Sequence, residues 1–184
     1  MKLVRYGDVG FEKPGLIDEQ GVLRDLSGVV TDINAETITP GGLAEIAALE
    51  FSSMPRVDDC PRFGFPVAGI PKIVAIGQNY MNHILEMGYT PPEEPVIFIK
   101  AISSLTGPND PMIKPKTSTK FDYEVEMAAL IGSTAINVSE EDALNHVAGY
   151  AIMNDGSERA FQRERSGGTT KGKSADTFGP LGPW

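Results

Sequence analysis

Residues 120–132 read KFDYEVEMAALIG. Phe121, Tyr123, Val125 and Met127 alternate with Asp122, Glu124 and Glu126, after which the run is wholly apolar. A period of two predicts a strand with the apolar residues on a buried face and the three carboxylates on the other. Residues two apart on one face lie about 6.8 Å from each other. Two unit charges at that separation repel by about 2 kcal/mol at an effective dielectric near 20. No Lys or Arg stands between the acids to relieve this. A solvated acidic strand tolerates the repulsion. A buried one must protonate its acids, pair them or hold a cation. The continuation AALIG points to an interior strand, and a fourth carboxylate, Asp155, stands where the apolar run YAIMND gives out. Strand ends are where such side chains converge. All-oxygen ligands select a hard cation, Mg²⁺ or Mn²⁺ with Ca²⁺ as a further candidate, over zinc or copper.

Upstream, NYMNHILEMG places His83 and Glu86 three residues apart, on one face of a predicted helix. A carboxylate beside an imidazole fixes its tautomer and raises its basicity, which suits a general base acting on water. The alternative is an ordinary surface pair.

The elements that must carry these residues come from the rest of the chain. Its 184 residues, 41% hydrophobic and 22% charged, read as globular. The net charge of −9 argues against nucleic acid as a general partner. No apolar run reaches the length of a membrane span, the start MKLVRYGDVG lacks an apolar signal region, and the expected compartment is the cytoplasm. Cys60 is the single cysteine, so neither a disulfide framework nor a cysteine-rich zinc site is expected. KLVRY reads as a strand, PGLID and VLRDLS as a hairpin, and TPGGLAEIAALE as a short helix. The Pro- and Gly-rich stretch 61–72 reads as a connection between a small β-rich N-terminal subdomain, about 1–65, and a larger domain, about 66–184. In the larger part, KIVAIG and VIFIKA read as buried strands and 78–88 as a helix capped by Asn79 and stopped at Gly88. SEEDALNHVAG reads as a helix with Ser139 as N-cap and a structural His146 near its end. GGTTKGKS comes nearest to a phosphate loop but lacks the first glycine at the required spacing, so a nucleotide site is rejected. The fold class expected is mixed α/β, mostly β.

Five ordered stretches carry more than their local patterns: IGQNYMNHILEMG, PVIFIKAISSLTGPNDPMIKP, FDYEVEMAALIG, GYAIMNDGSERAFQRE and KGKSADTFGPLGPW. Over residues 70–184 they resemble the fumarylacetoacetate hydrolase family, and the opening MKLVRYGDVGFEKPGLID resembles the start of its bacterial members, those labelled ureidoglycolate lyase or diketo-deoxy-sugar-acid hydrolase. The resemblance implies a β-rich catalytic domain with Glu124, Glu126 and Asp155 as metal ligands. It implies His83 and Glu86 as the water-activating dyad, Lys173 as the lysine that contacts substrate oxygen, and Arg159 and Gln162 as substrate-side residues. Asp122 then becomes a neighbour of the ligands. On sequence alone Lys173 would be one more exposed lysine. Ala160 departs from the family's usual Asp after the arginine, and IGQNYMNH departs from the eukaryotic tyrosine-degradation enzyme. Relatives continue past the position of Trp184 with a segment that closes the substrate pocket, so the chain reads as C-terminally incomplete.

The activity implied is metal-dependent hydrolysis of a C–C bond in a 2,4-diketo acid, giving pyruvate and a second acid, in a protein that is a homodimer when full length. Two rivals remain. One is decarboxylation or tautomerisation of a β-keto acid such as oxaloacetate, which needs no attacking water. The other is a cation-stabilised β domain without activity.

Overall fold

The computed structural model describes residues 1–184. Its fold is mixed α/β and mostly β. Strands β1 (Lys2–Tyr6), β2 (Lys13–Ile17) and β3 (Leu23–Asp25) form an antiparallel meander. Alternation in β1 sends Val4 and Tyr6 inward to meet Leu23. Leu16 and Leu26 meet Ile46 from helix α1 (Pro40–Ala47). That helix starts because Thr39 accepts a 3.1 Å hydrogen bond from the Gly42 amide, while Pro40 occupies the first turn, where its missing N–H costs nothing.

The stretch 61–72 does not run free between two parts. Phe63 bridges to Tyr6, the Gly64 amide donates to the Arg5 carbonyl, and Val67 is buried against Ile33 and Ile38. Leu130 and Ala148 from the second half pack on the same cluster. Arg62 adds a charged link, holding Asp110 at 2.6 Å and Glu12 at 2.8 Å.

The second half begins with the antiparallel ribbon of β4 (Ile73–Gly77) and β5 (Val96–Lys100), which enclose α2 (Met81–Glu86) in sequence. Both stretches are strands as their composition predicts, but they are not buried. Val74, Ile97 and Ile99 are exposed, because the two-stranded ribbon has one face that nothing in the chain covers. Helix α2 differs from expectation at its start. Its N-cap position is Tyr80, without a side-chain cap, and not Asn79. Gly88 stops it as expected, at φ +71°, with the Tyr89 amide closing back onto the Ile84 carbonyl.

After the short strands β6 (Leu105–Thr106) and β7 (Phe121–Asp122) comes β8 (Val125–Ile131). Helix α3 (Glu140–Ala143), with Ser139 as its side-chain cap, then leads into β9 (Val147–Asn154). The two-residue strand β10 (Ser157–Glu158) pairs with β7. Helices α4 (Arg159–Arg163) and α5 (Thr169–Lys173) and strand β11 (Gly179–Gly182) complete the chain. A four-stranded sheet runs in the order β6, β11, β9, β8, parallel only between β6 and β11. Its inner face buries Ala151, Met153 and Leu181 against Leu105, Ala128, Leu130 and Ile73.

The alternation read in residues 121–127 is present, but its faces are exchanged. Val125 and Met127 are 71% and 68% exposed, and Met127 stands opposite the exposed Ile152 in the ladder. The carboxylates point to the protected side. The continuation AALIG is likewise not buried on both faces, since Ala129 and Ile131 are exposed. The acids can face inward because cations from distant parts of the chain meet them there.

Candidate active site

Three segments build the site. Glu124 lies between β7 and β8, Glu126 is on β8, and Asp155 follows the last residue of β9. Register fixes their proximity: Val125 pairs with Asn154, the Asp155 amide donates to the Glu124 carbonyl at 2.8 Å, and the Asn154 side chain accepts from the Glu124 amide at 3.2 Å. Asp155 is 5% exposed.

The counter-charges answer the problem of three acids without a base between them. Lys173, the last residue of α5, is 3% exposed and not a surface lysine. Its ammonium donates to Glu124 Oε2 at 2.5 Å, Asp155 Oδ2 at 2.6 Å and Ser157 Oγ at 2.9 Å, and lies over the Phe98 ring. Arg159 holds Asp122 Oδ2 at 2.8 Å and Glu124 Oε1 at 2.5 Å, and donates to Gln162 at 3.0 Å. Asp122 is thus a partner of Arg159. Glu126 has no ion pair. Burial and the charges of Glu124 and Asp155 push its carboxyl above the usual range, with the Tyr80 hydroxyl and Lys173 acting against them.

A hard cation fits the donor chemistry. The set is all oxygen, and Glu126 carries a charge its neighbours disfavour. As the side chains stand, no three acid, His or Cys groups are grouped closely enough to enclose an ion, because Lys173 lies between Glu124 and Asp155.

His83 and Glu86 share the predicted face of α2, with Nδ1 at 3.6 Å from Glu86 Oε2. That is an ion-pair separation, beyond a hydrogen bond. Both side chains are exposed, and the contact of His83 runs to Glu86 and not to the carboxylates. The link from this helix to the site is Tyr80, which stands beside Glu126 in the wall of one cavity. Both residues line a cavity of about 480 Å³ with Val125, Met127, Tyr150 and Trp184.

Residues 72–184 match the family model described as fumarylacetoacetate hydrolase C-terminal. The chain belongs to the fumarylacetoacetate hydrolase family. Across all 184 residues it is 50% identical to a 2,4-didehydro-3-deoxy-L-rhamnonate hydrolase of Sphingomonas sp. (strain SKA58), covering 63% of that relative. It also superposes on a fumarylacetoacetate hydrolase from Exiguobacterium antarcticum with a TM-score of 0.80 at 33% identity, covering 100% of this chain and 65% of that one. A third likeness is maleylpyruvate hydrolase from Sphingobium sp. SYK-6, solved in complex with manganese(II) ion and pyruvate. There the TM-score is 0.78 at 26% identity, over 100% of this chain and 66% of the other. The chain spans less than two thirds of the length of each of these relatives.

Two residues of this family member escaped the sequence reading. Lys100 is buried beside Asp155, and the only sign of it is that an apolar strand, VIFIK, ends in a lysine on its inward face. Glu158 is fully buried, accepting from Ser118, from the Lys120 amide at 2.9 Å and from the Ala160 amide at 3.0 Å. It ties the loop before β7 to the start of α4. Nothing in GSERAF announces a buried acid. His146 has a structural partner, Ser133, at 2.9 Å, and Cys60 is exposed.

Proposed function

We propose that this chain carries the catalytic site of a metal-dependent hydrolase that cleaves a C–C bond in a 2,4-diketo acid, of the acylpyruvate or diketo-deoxy-sugar-acid type, to give pyruvate and a second acid. The observation that carries this reading is the sharing of the Lys173 ammonium between Glu124 and Asp155, with unpaired Glu126 on the next strand position of the same face. The names of the rhamnonate hydrolase and the maleylpyruvate hydrolase support the substrate class, and the manganese and pyruvate held by the latter support the cofactor class.

Glu124, Glu126 and Asp155 would hold the divalent cation, Mg²⁺ or Mn²⁺. When bound, it supplies Lewis acidity toward the oxygens of an oxo acid. Lys173 offers an ammonium from a protected position, where a charge-assisted hydrogen bond to a developing oxyanion is stronger than it is in water. Arg159 keeps Glu124 oriented and, through Gln162, extends the polar surface toward substrate. His83 presents Nδ1 to Glu86, leaving Nε2 to take a proton from water. That nitrogen would act on water only if α2, whose neighbouring Tyr80 lines the same cavity as Glu126, came to lie over bound substrate.

The test is pyruvate release from a panel of 2,4-diketo acids by the intact protein, stripped of metal and then supplied with Mn²⁺ or Mg²⁺. Turnover that appears only with the cation is the expected result. Turnover of oxaloacetate alone would favour the decarboxylase reading, and stabilisation by the cation without turnover of any of these acids would favour the cation-stabilised domain.

A further inference from the structure

Lys100 ends β5 on the inward-facing side of the strand and is 1% exposed. Its ammonium lies 2.7 Å from Asp155 Oδ1 and donates to the backbone carbonyl of Lys173, with the Gly156 carbonyl at 3.5 Å. Asp155 is therefore held from two sides: Lys173 takes Oδ2 at 2.6 Å, and Lys100 is the counter-charge of Oδ1, which has no aligned hydrogen bond of its own. A buried ammonium is a costly way to fill space. Replacing both members of a buried pair by apolar side chains of similar volume is often neutral or stabilising, so a buried pair is weak evidence of a role in stability alone.

We propose that Lys100 is a positioning residue. It fixes the Asp155 carboxylate through Oδ1 and the Lys173 main chain through its carbonyl, so that Asp155 Oδ2 and the Lys173 ammonium face the reaction centre together. The proposal rests on the hydrolase reading above and adds to it a residue that touches neither substrate nor the reacting atoms. Without Lys100, Oδ1 is buried with no counter-charge and the carboxylate keeps a single anchor, Lys173 at Oδ2, about which it can turn. A cation bound at the three carboxylates replaces the lost charge but not the lost orientation. Stability and catalysis then respond differently to metal.

The experiment compares wild type with Lys100→Met in the intact protein. Thermal unfolding is followed with Mn²⁺ alone as the probe, and pyruvate release is then measured at saturating Mn²⁺. Lys100→Met should unfold at a lower temperature than wild type without metal and should be raised further than wild type by Mn²⁺. Even so, its kcat should stay about 10–100-fold down, the usual loss for a partner that orients a metal-binding side chain, with KM changed much less. An equal Mn²⁺-induced rise in both proteins, or an unchanged kcat, overturns the proposal. If wild type itself shows no rise with Mn²⁺, the hydrolase reading fails first and takes this proposal with it. If Lys100→Met does not fold, Lys100→Met combined with Asp155→Asn decides the matter. Recovery of folding when both buried charges are gone supports the pairing, whereas a double variant that also fails to fold assigns Lys100 to packing and refutes it.

Discussion

Hydrolysis of a 2,4-diketo acid by the intact protein is expected to fall by about 10²–10⁴-fold in His83→Ala, the range for loss of a general base. On α2, Nδ1 of His83 faces Glu86, and Nε2 is left to act on water. Decarboxylation of oxaloacetate needs no attacking water, so it should fall much less in the same variant. Glu124, Glu126 and Asp155 lie on other elements, and His83 makes no contact with them that its removal would disturb. Both activities are measured side by side with and without the substitution. Equal losses would mean that His83 orients substrate and does not generate the nucleophile. The exposure of the dyad in the free chain makes this test necessary, because geometry alone leaves His83 away from the carboxylates.

The second large effect concerns Lys173. Its ammonium is the one group shared by Glu124 and Asp155, and both it and Asp155 are buried. Removing one member of a buried ion pair typically costs about 3–5 kcal/mol, because the remaining charge is left uncompensated. Single domains have total stabilities of about 5–15 kcal/mol, so Lys173→Met should leave the metal-free protein marginal. Urea unfolding checks this, and Lys173→Met with Asp155→Asn should recover a large part of the loss. A loss of under about 1 kcal/mol in the single variant, the level of a surface pair, would show that water reaches the pair. Activity should disappear in either variant.

Much of the fold was legible because its signals are local. The meander shows in the apolar runs KLVRY, PGLID and VLRDLS with their turn, α1 in the helical spacing of Leu43, Ile46 and Ala47, and the stop of α2 in Gly88. The period of 121–127 was legible too, yet its inward face was assigned to the wrong side chains. Period two says that two faces differ and does not say which one is covered. In this chain the decision rests on Lys173, Arg159 and Lys100, which lie 49, 35 and 55 residues from Glu124, Glu124 and Asp155 respectively in sequence. No local pattern records such pairings. The same limit explains β4 and β5, whose apolar continuity is that of covered strands although Val74, Ile97 and Ile99 are exposed.

At the site, the acids could be picked out by residue type and spacing, while Lys173, Arg159 and Gln162 were singled out only by family resemblance, which is what brought the contacts of Lys173 and Arg159 with those acids into view. Lys173 illustrates why. KGKS contains two lysines two residues apart, and only the helical turn of α5 turns Lys173 inward while Lys171 stays at the surface. Lys100 and Glu158 gave less warning still, since a buried charge is recognisable only by the partners that satisfy it.

Whether the three carboxylates bind one cation is tested most directly at Glu126. It is the member with no ion pair, so Glu126→Gln removes an anionic donor while Lys173, Lys100 and Arg159 keep their partners. The measurement is a Mn²⁺ titration of metal-free intact protein, read by electron paramagnetic resonance of the free ion, for wild type and Glu126→Gln. Wild type should take up a single ion per chain, and the variant should lose nearly all of that binding while its metal-free melting temperature stays at or above that of wild type. Equal Mn²⁺ uptake by both proteins would place the cation elsewhere and contradict the site described.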